Sequence, residues 1–117
     1  AAPPQSRRVH PRAPYAALAT LQRERGGGAS DARIEDLSEG GVLLVTRETY
    51  AAGETLRVRF GLPISGRVLA VPALVRWSRV ARGAPVIGLE FRELPDAART
   101  EICQYVTLMG GDKASGS

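Results

Sequence analysis

The chain contains one cysteine, one histidine and few aromatic residues, which make up 5% of its 117 residues. A single cysteine, Cys103, excludes an intrachain disulfide and a multi-cysteine metal site, and it is typical of proteins from a reducing compartment. No apolar run approaches the roughly 20 residues that a membrane span needs. The N-terminus also has no apolar segment typical of a signal peptide. We therefore expect a globular cytoplasmic domain that does not associate with a membrane.

The residues that enzymes combine for catalysis are also scarce. His10 is the only histidine, and the sequence around it contains no acid or nucleophile with which it could act as a general base. Paired carboxylates and clusters of metal-ligating residues are not visible either. We therefore predict that the protein is not an enzyme and that it needs neither a metal nor a cofactor.

Acidic residues are missing from the start of the chain, where Glu24 is the first. Sixteen basic residues oppose twelve acidic ones, which gives a net charge of +4. Without Arg7, Arg8 and Arg12 the balance is thirteen against twelve, so the excess charge lies in the N-terminal segment. A wide basic face would indicate a nucleic-acid backbone, whereas a small cluster indicates a small polyanion.

The hydrophobic pattern divides the chain into three parts. Residues 1–14 carry four prolines and the arginine cluster, and they predict a flexible basic arm. The body, 15–109, has mostly a period of two, which predicts six or seven short antiparallel strands, and then a period of 3.6 over one helix. The predicted strands are 15–25, 31–37, 42–46, 55–60, 67–80 and 86–91, of which 67–80 is one long strand or two, split or bulged at Pro72. Residues 110–117 predict a disordered tail. This order favours a small barrel or sandwich, closed by the helix.

Two motifs carry chemistry. Arg8 and Arg12 offer planar guanidinium groups that match phosphate oxygens or the O6/N7 edge of guanine. The other motif, 36–41, combines Asp36 and Ser38 with Gly40 and Gly41. Its carboxylate can accept two hydrogen bonds from the N1–H and N2 edge of guanine, and its glycines allow a ring or phosphate to approach the backbone. Together these residues predict a site for an anionic ligand that contains guanine.

The pairing of R-x-x-x-R (Arg8, Arg12) with D-x-S-x-x-G (Asp36, Ser38, Gly41) resembles the PilZ domain, the bacterial receptor for cyclic di-GMP. The resemblance extends over nearly the whole chain, because 75–77 (Val-Arg-Trp) and 88–91 (Gly-Leu-Glu-Phe) match later strands of that family. It implies an all-β fold, a six-stranded antiparallel β-barrel with a C-terminal α-helix and an N-terminal arm containing the arginines. It also implies a receptor whose arm and partner-binding surface change when the ligand binds.

The family pattern implies a role for each matching residue. Arg8 and Arg12 would hold the phosphates and stack on the guanines, and Asp36 and Ser38 would bind a guanine edge. Gly41, with Gly40, would keep the turn close to the ligand. Trp77 would lie near it, although a position in the core or at the barrel rim is the alternative for this residue. An arginine directly before the first motif arginine implies a stacked pair of cyclic di-GMP molecules, and Arg7 occupies that position.

Two other functions remain open at this point. One is a protein-interaction adaptor of the same fold that does not use the nucleotide, and the other is a small nucleic-acid-binding barrel. The intact motifs argue against the first; the nearly neutral body and the few aromatic residues argue against the second. Arg57 and Arg59, on one face of a predicted strand, are interpreted as a solvated surface. Family members act in motility, surface polysaccharide and biofilm control, and the sequence indicates neither the pathway nor the protein partner.

Overall fold

The computed structural model describes residues 12–24 and 26–109 and contains six strands followed by one helix. The strands are β1 (Ala13–Arg23), β2 (Ser30–Leu37), β3 (Gly41–Thr46), β4 (Thr55–Gly61), β5 (Val68–Ala81) and β6 (Ala84–Phe91), and the helix is α1 (Asp96–Leu108). The predicted 1–14 arm lies outside the described residues except for 12–14, and so does the predicted 110–117 tail. Among the described residues, α1 is the one helix, and it is too short to cross a bilayer.

All six strands form one closed antiparallel barrel in the order β1-β2-β3-β6-β5-β4. The barrel closes because β1 pairs on its second side with β4, from Ala19 opposite Phe60 to Arg23 opposite Leu56. The last strand, β6, lies between β3 and β5. The all-β fold class predicted from the sequence is therefore confirmed. The two-residue hydrophobic period was compatible with a barrel or a sandwich, and the structure is a barrel.

The interior of the barrel follows from the alternation of the strands. Every second side chain of β4 points inward, so that Leu56, Val58 and Phe60 are buried while Arg57 and Arg59 are exposed. Burial of an aliphatic or aromatic side chain of this size stabilises the fold by roughly 1.5–3 kcal/mol. The helix covers one opening of the barrel with its apolar stripe, in which the buried residues are Ala98, Ile102 and Val106.

Of the two alternatives for 67–80, the structure has one long strand, β5, and the predicted split or bulge at Pro72 is wrong. β5 runs without a break through Pro72, which pairs with Arg57 of β4. The carbonyl of Pro72 faces the other neighbour and accepts a hydrogen bond of 2.9 Å from the N–H of Arg92, just beyond the end of β6. Proline, which lacks an N–H donor, therefore lies at the end of the β5–β6 ladder, whose last pair is Ala73 with Phe91. The irregularity of β5 lies instead between Val75 and Trp77.

Candidate functional site

The structure brings Arg12 of the first motif beside Asp36 of the second, at the start of β1. β1 and β2 are antiparallel neighbours in which Pro14 pairs with Asp36, so Arg12 lies beside the end of β2. Its guanidinium donates a hydrogen bond of 3.1 Å to Oδ1 of Asp36, and this is also an ion pair. The side chains are 42% and 27% exposed, so a ligand can reach both from solvent. Arg7 and Arg8, the other arginines of the predicted site, lie outside the described residues.

Ser38 is buried in the turn that joins β2 to β3. Its hydroxyl oxygen accepts hydrogen bonds from the backbone N–H groups of Gly40, at 3.1 Å, and Gly41, at 3.2 Å. The backbone N–H of Ser38 also donates to the carbonyl of Gly41 at 2.9 Å. A small hydroxyl that binds nearby backbone groups stabilises such a turn. The contacts of Ser38 are therefore those of a residue that shapes the turn; its predicted contact with guanine stays a prediction.

The two glycines of the motif lie close to the backbone of β6. The carbonyl of Gly40 accepts a hydrogen bond from Phe91, and Gly41 pairs with Glu90. A Cβ atom at Gly41 would lie 2.0 Å from the carbonyl oxygen of Leu89, which is far inside van der Waals contact. Glycine is therefore required at position 41 by the approach of β3 to β6, independently of any ligand. The close approach of β3 to β6 therefore also fixes the position of the turn on the barrel, and with it that of Asp36.

Trp77 lies at the far end of a row of residues that crosses the outer face of the barrel. Asp36 pairs with Leu43, Leu43 with Gly88 and Gly88 with Trp77, and directly paired residues point to the same face. Three strand spacings separate Asp36 from Trp77, which is roughly 14 Å. The face between them contains the smallest side chain in the row, Gly88. We call this surface, from Arg12 and Asp36 to Trp77, the outer face.

The indole of Trp77 lies against Gly88 and is in contact with the guanidinium of Arg79. A Cβ atom at Gly88 would lie 2.5 Å from Nε1 of Trp77, so only glycine lets the ring lie this close to β6. The guanidinium of Arg79 lies 4.8 Å from the centre of the indole. Such a contact orients both groups and is worth about 0.5–1 kcal/mol at an exposed site. Trp77 is only partly buried, so this contact leaves it at the surface.

Sequence reasoning missed Arg79 and Glu39 as parts of this region. Arg79 follows Trp77 by two residues, a spacing that places both side chains on one strand face, and this signal was available. Glu39 lies in the turn between Ser38 and Gly40, and its carboxylate accepts a hydrogen bond of 2.8 Å from the thiol of Cys103 on α1. No local pattern relates positions that are 64 residues apart.

The helix contacts both halves of the candidate site. Cys103 binds Glu39 of the turn, and the hydroxyl of Tyr105 donates to the carbonyl of Pro14, two residues after Arg12. The ring of Tyr105 also packs edge-on against Tyr15 at 5.4 Å. A displacement of the start of β1 or of the turn would therefore act directly on α1.

These contacts predict that Cys103 reacts slowly with alkylating reagents. Partial burial and, second, the Glu39 carboxylate raise the pKa of the Cys103 thiol from 9.0 to about 11. Because the thiolate is the reactive form, a rise of two pKa units lowers its population about 100-fold near neutral pH. Because a more basic thiolate is also more nucleophilic, iodoacetamide labelling followed by mass spectrometry should give a rate about tenfold below that of an ordinary cysteine.

The matched variants for this experiment are Glu39→Gln and Glu35→Gln. Removal of the Glu39 charge should raise the labelling rate several-fold, whereas Glu35 binds Arg33 elsewhere on the surface and its replacement should change nothing. Equal rates for the wild type and Glu39→Gln would contradict a contact between the Glu39 carboxylate and the Cys103 thiol.

Comparisons with known proteins agree with this geometry. A family model described as PilZ domain matches residues 6–108. Comparison with curated protein sequences gave no match. Among solved structures, the chain is similar to the inhibitor of motility MotI/DgrA from Bacillus subtilis, with a TM-score of 0.81 and 22% identity over 92% of this chain and 53% of that one. The chain thus spans about half the length of that protein.

Two similar structures contain the nucleotide. The PilZ domain of YcgR from Escherichia coli with c-di-GMP gives a TM-score of 0.69 at 12% identity, over 94% of this chain and 96% of that one. The MrkH–c-di-GMP complex from K. pneumonia gives 0.69 at 20% identity, over 92% of this chain and 54% of that one. At these identities the structures show a shared fold. Since the family model covers most of the sequence, and the six-stranded barrel with its C-terminal helix has the same fold as these solved structures, the chain belongs to the PilZ domain family.

Proposed function

We propose that this protein is a receptor for cyclic di-GMP that binds the nucleotide across the outer face of the barrel. The observation that carries the proposal is the contact of Arg12 with Asp36, which unites one residue from each motif at one end of that face. Trp77 with Arg79 provides an aromatic and cationic surface at the other end. Similar structures that contain c-di-GMP support the choice of ligand.

The side chains divide the recognition of the ligand between them. The guanidinium groups of Arg12 and Arg8 bind phosphate oxygens, for which their planar fork is suited, and stack on the guanines. Asp36 accepts hydrogen bonds from the N1–H and N2 edge of a guanine. Gly40 and Gly41 keep the turn low enough for the ring to approach, and Ser38 both holds the turn and contacts the guanine edge.

Binding would exchange partners at the arm, because the guanidinium of Arg12 forms an ion pair with Asp36, the carboxylate proposed to bind guanine. The ion pair is exposed, and such pairs contribute about 0–1 kcal/mol, so its exchange for phosphate contacts costs little. Movement of Arg12 and of the turn would reach α1 through Pro14–Tyr105 and Glu39–Cys103. The ligand thereby changes the surface that the arm and the helix present to a protein partner, which is the proposed output of the receptor.

Isothermal titration of the full chain with cyclic di-GMP tests the proposal. We expect saturable heat, and a parallel change in the fluorescence of Trp77, the only tryptophan in the chain. Micromolar affinity requires about 8 kcal/mol, which several charge-assisted hydrogen bonds and ring stacking supply after the cost of ordering the arm. Cyclic di-AMP, with the same phosphates and a different base edge, is the matched control and should bind much more weakly.

The same titration reports stoichiometry. Arg7 predicts a stacked pair of nucleotides, hence two molecules bound per chain, and Arg7→Leu should reduce the ratio to one. A folded protein that gives no heat and no fluorescence change with cyclic di-GMP would contradict the receptor proposal and favour the adaptor that acts without the nucleotide. An unchanged ratio in Arg7→Leu would contradict the stacked pair alone.

A further inference from the structure

We propose that a cleft between β4, β5 and the start of α1 binds an acidic segment of a partner protein. The cleft has a volume of about 570 Å³, and its charged lining residues are Arg57, Arg92, Arg99 and Glu93. We call it the basic cleft. Three arginines against one glutamate make it positively charged, in a barrel whose body is close to neutral overall.

Of the twelve arginines among the described residues, those of the basic cleft belong to the eight that form no ion pair. Four arginines form ion pairs with carboxylates, namely Arg12, Arg23, Arg33 and Arg76. Among the described residues, no carboxylate lies within ion-pair distance of Arg57, Arg92 or Arg99, so three guanidinium groups share one cleft without an acidic partner. A guanidinium matches a carboxylate with two parallel hydrogen bonds. The missing partner can therefore be supplied by another molecule.

The fold holds these arginines together around Pro72. Arg57 points outward from β4, opposite Pro72 on β5. Arg92 follows β6, and its backbone N–H donates to the carbonyl of Pro72 at 2.9 Å. Arg99, in the first turns of α1, donates from Nη2 to the carbonyl of Leu94 at 3.3 Å. Arginines that are far apart in the sequence thus lie together on one rigid part of the barrel. A single solvated strand face would not bring them together.

The lining favours a protein segment over a nucleic acid. Ala70 and Pro72 give the cleft an apolar surface, and its lining contains no aromatic side chain on which a base could stack. Glu93 would repel a continuous phosphate backbone, whereas an acidic peptide can place its carboxylates beside the arginines and turn an apolar side chain towards Pro72. The occupant that fits is an acidic segment with interspersed apolar residues.

The basic cleft is separate from the proposed nucleotide site. Pro72 and Trp77 lie five residues apart on β5, which corresponds to roughly 17 Å. Arg57 belongs to β4, which contributes nothing to the outer face. Because the cleft is formed by the barrel and the helix, a partner can bind without nucleotide, and the test below does not depend on the receptor proposal.

Fluorescence anisotropy with a labelled synthetic peptide tests the proposal on the full chain without nucleotide. The probe peptide is rich in Asp and Glu with a leucine at every third position, and the control peptide replaces the acids with Asn and Gln. We expect the acidic peptide to bind at low salt and the amide peptide not to bind. The double variant Arg57→Gln/Arg92→Gln should weaken binding about tenfold, since two exposed charge pairs are lost.

The matched control is Arg47→Gln/Arg82→Gln, which removes the same charge from exposed positions outside the cleft. It should bind the acidic peptide as the wild type does, and thermal unfolding should show both variants folded. Equal weakening in the two double variants, or no binding of the acidic peptide, would overturn the proposal. It would also be overturned if a single-stranded oligonucleotide bound more tightly than the peptide and lost its affinity in the cleft variant, because the cleft would then serve nucleic acid.

Discussion

Replacement of Arg12 by alanine is expected to reduce the affinity for cyclic di-GMP about 30-fold or more. The change removes a charge-assisted contact with phosphate, worth about 1.5–3 kcal/mol, and it leaves Asp36 without the cation beside it. Isothermal titration measures the effect directly. The fold should be retained, because an exposed ion pair such as Arg12–Asp36 contributes at most about 1 kcal/mol to the free energy of unfolding.

Arg33→Ala is the control for this experiment. Arg33 lies on β2 close to Asp36 in sequence, is exposed and forms its own ion pair with Glu35. Its removal lowers the net charge equally, so an affinity within about twofold of the wild type would show that position rather than charge matters. Equal losses in the two variants would mean that the nucleotide responds only to the overall charge, and the site at Arg12 and Asp36 would be wrong.

Replacement of Gly41 by alanine is expected to destabilise the protein by about 3 kcal/mol, as measured by urea unfolding. The new Cβ atom would lie 2.0 Å from the Leu89 carbonyl, which belongs to the backbone and can yield only if β3 and β6 separate. Separation disturbs the bond between Gly40 and Phe91 and the turn held by Ser38. Nucleotide binding should therefore also fall in the fraction that remains folded.

Gly61→Ala is the matched substitution at another strand glycine. A Cβ atom there meets only the carbonyl of Gly66, at 3.6 Å, which is an ordinary contact. It should change the free energy of unfolding by less than about 1 kcal/mol. If Gly41→Ala were as mild as Gly61→Ala, the close approach of β3 to β6 would not be the reason for glycine in the turn.

The strands and the helix could be predicted because their signals are local. The alternation of Leu56, Val58 and Phe60 with Arg57 and Arg59 is a property of consecutive residues, and the structure has the same inward and outward sets. The pairing of β1 with β4, which closes the barrel, has no such signal. It depends on which strands become neighbours, and a period of two is equally compatible with a sandwich.

The error at Pro72 has the same origin. Proline lacks a donor, but whether a donor is needed depends on the neighbouring strand, and here β6 ends at Phe91, opposite Ala73. The alternation within β4 alone predicts only that Arg57 lies on a solvated face. Only the arrangement of β5 and α1 places Arg92 and Arg99 in the same cleft.

The candidate site was partly predictable for a similar reason. Asp36 and Ser38 are close in sequence, and the turn they form follows from the residues present. The chemical groups of the two motifs also indicate that Arg12 and Asp36 contribute to one site. What they could not indicate was the division of roles: Gly41 is required by the backbone of β6, and Glu39 is joined to Cys103 on the helix.

The position of β6 between β3 and β5 has a consequence for synthesis of the protein on the ribosome. The strand that completes the sheet is the last to be translated, so β3 and β5 expose unpaired edges until residues 84–91 emerge. Unpaired edges invite association with other chains. Fragments that end before β6 should therefore aggregate. A split-protein reporter that divides this domain in the loop of residues 62–67 should be used only when both halves are produced together.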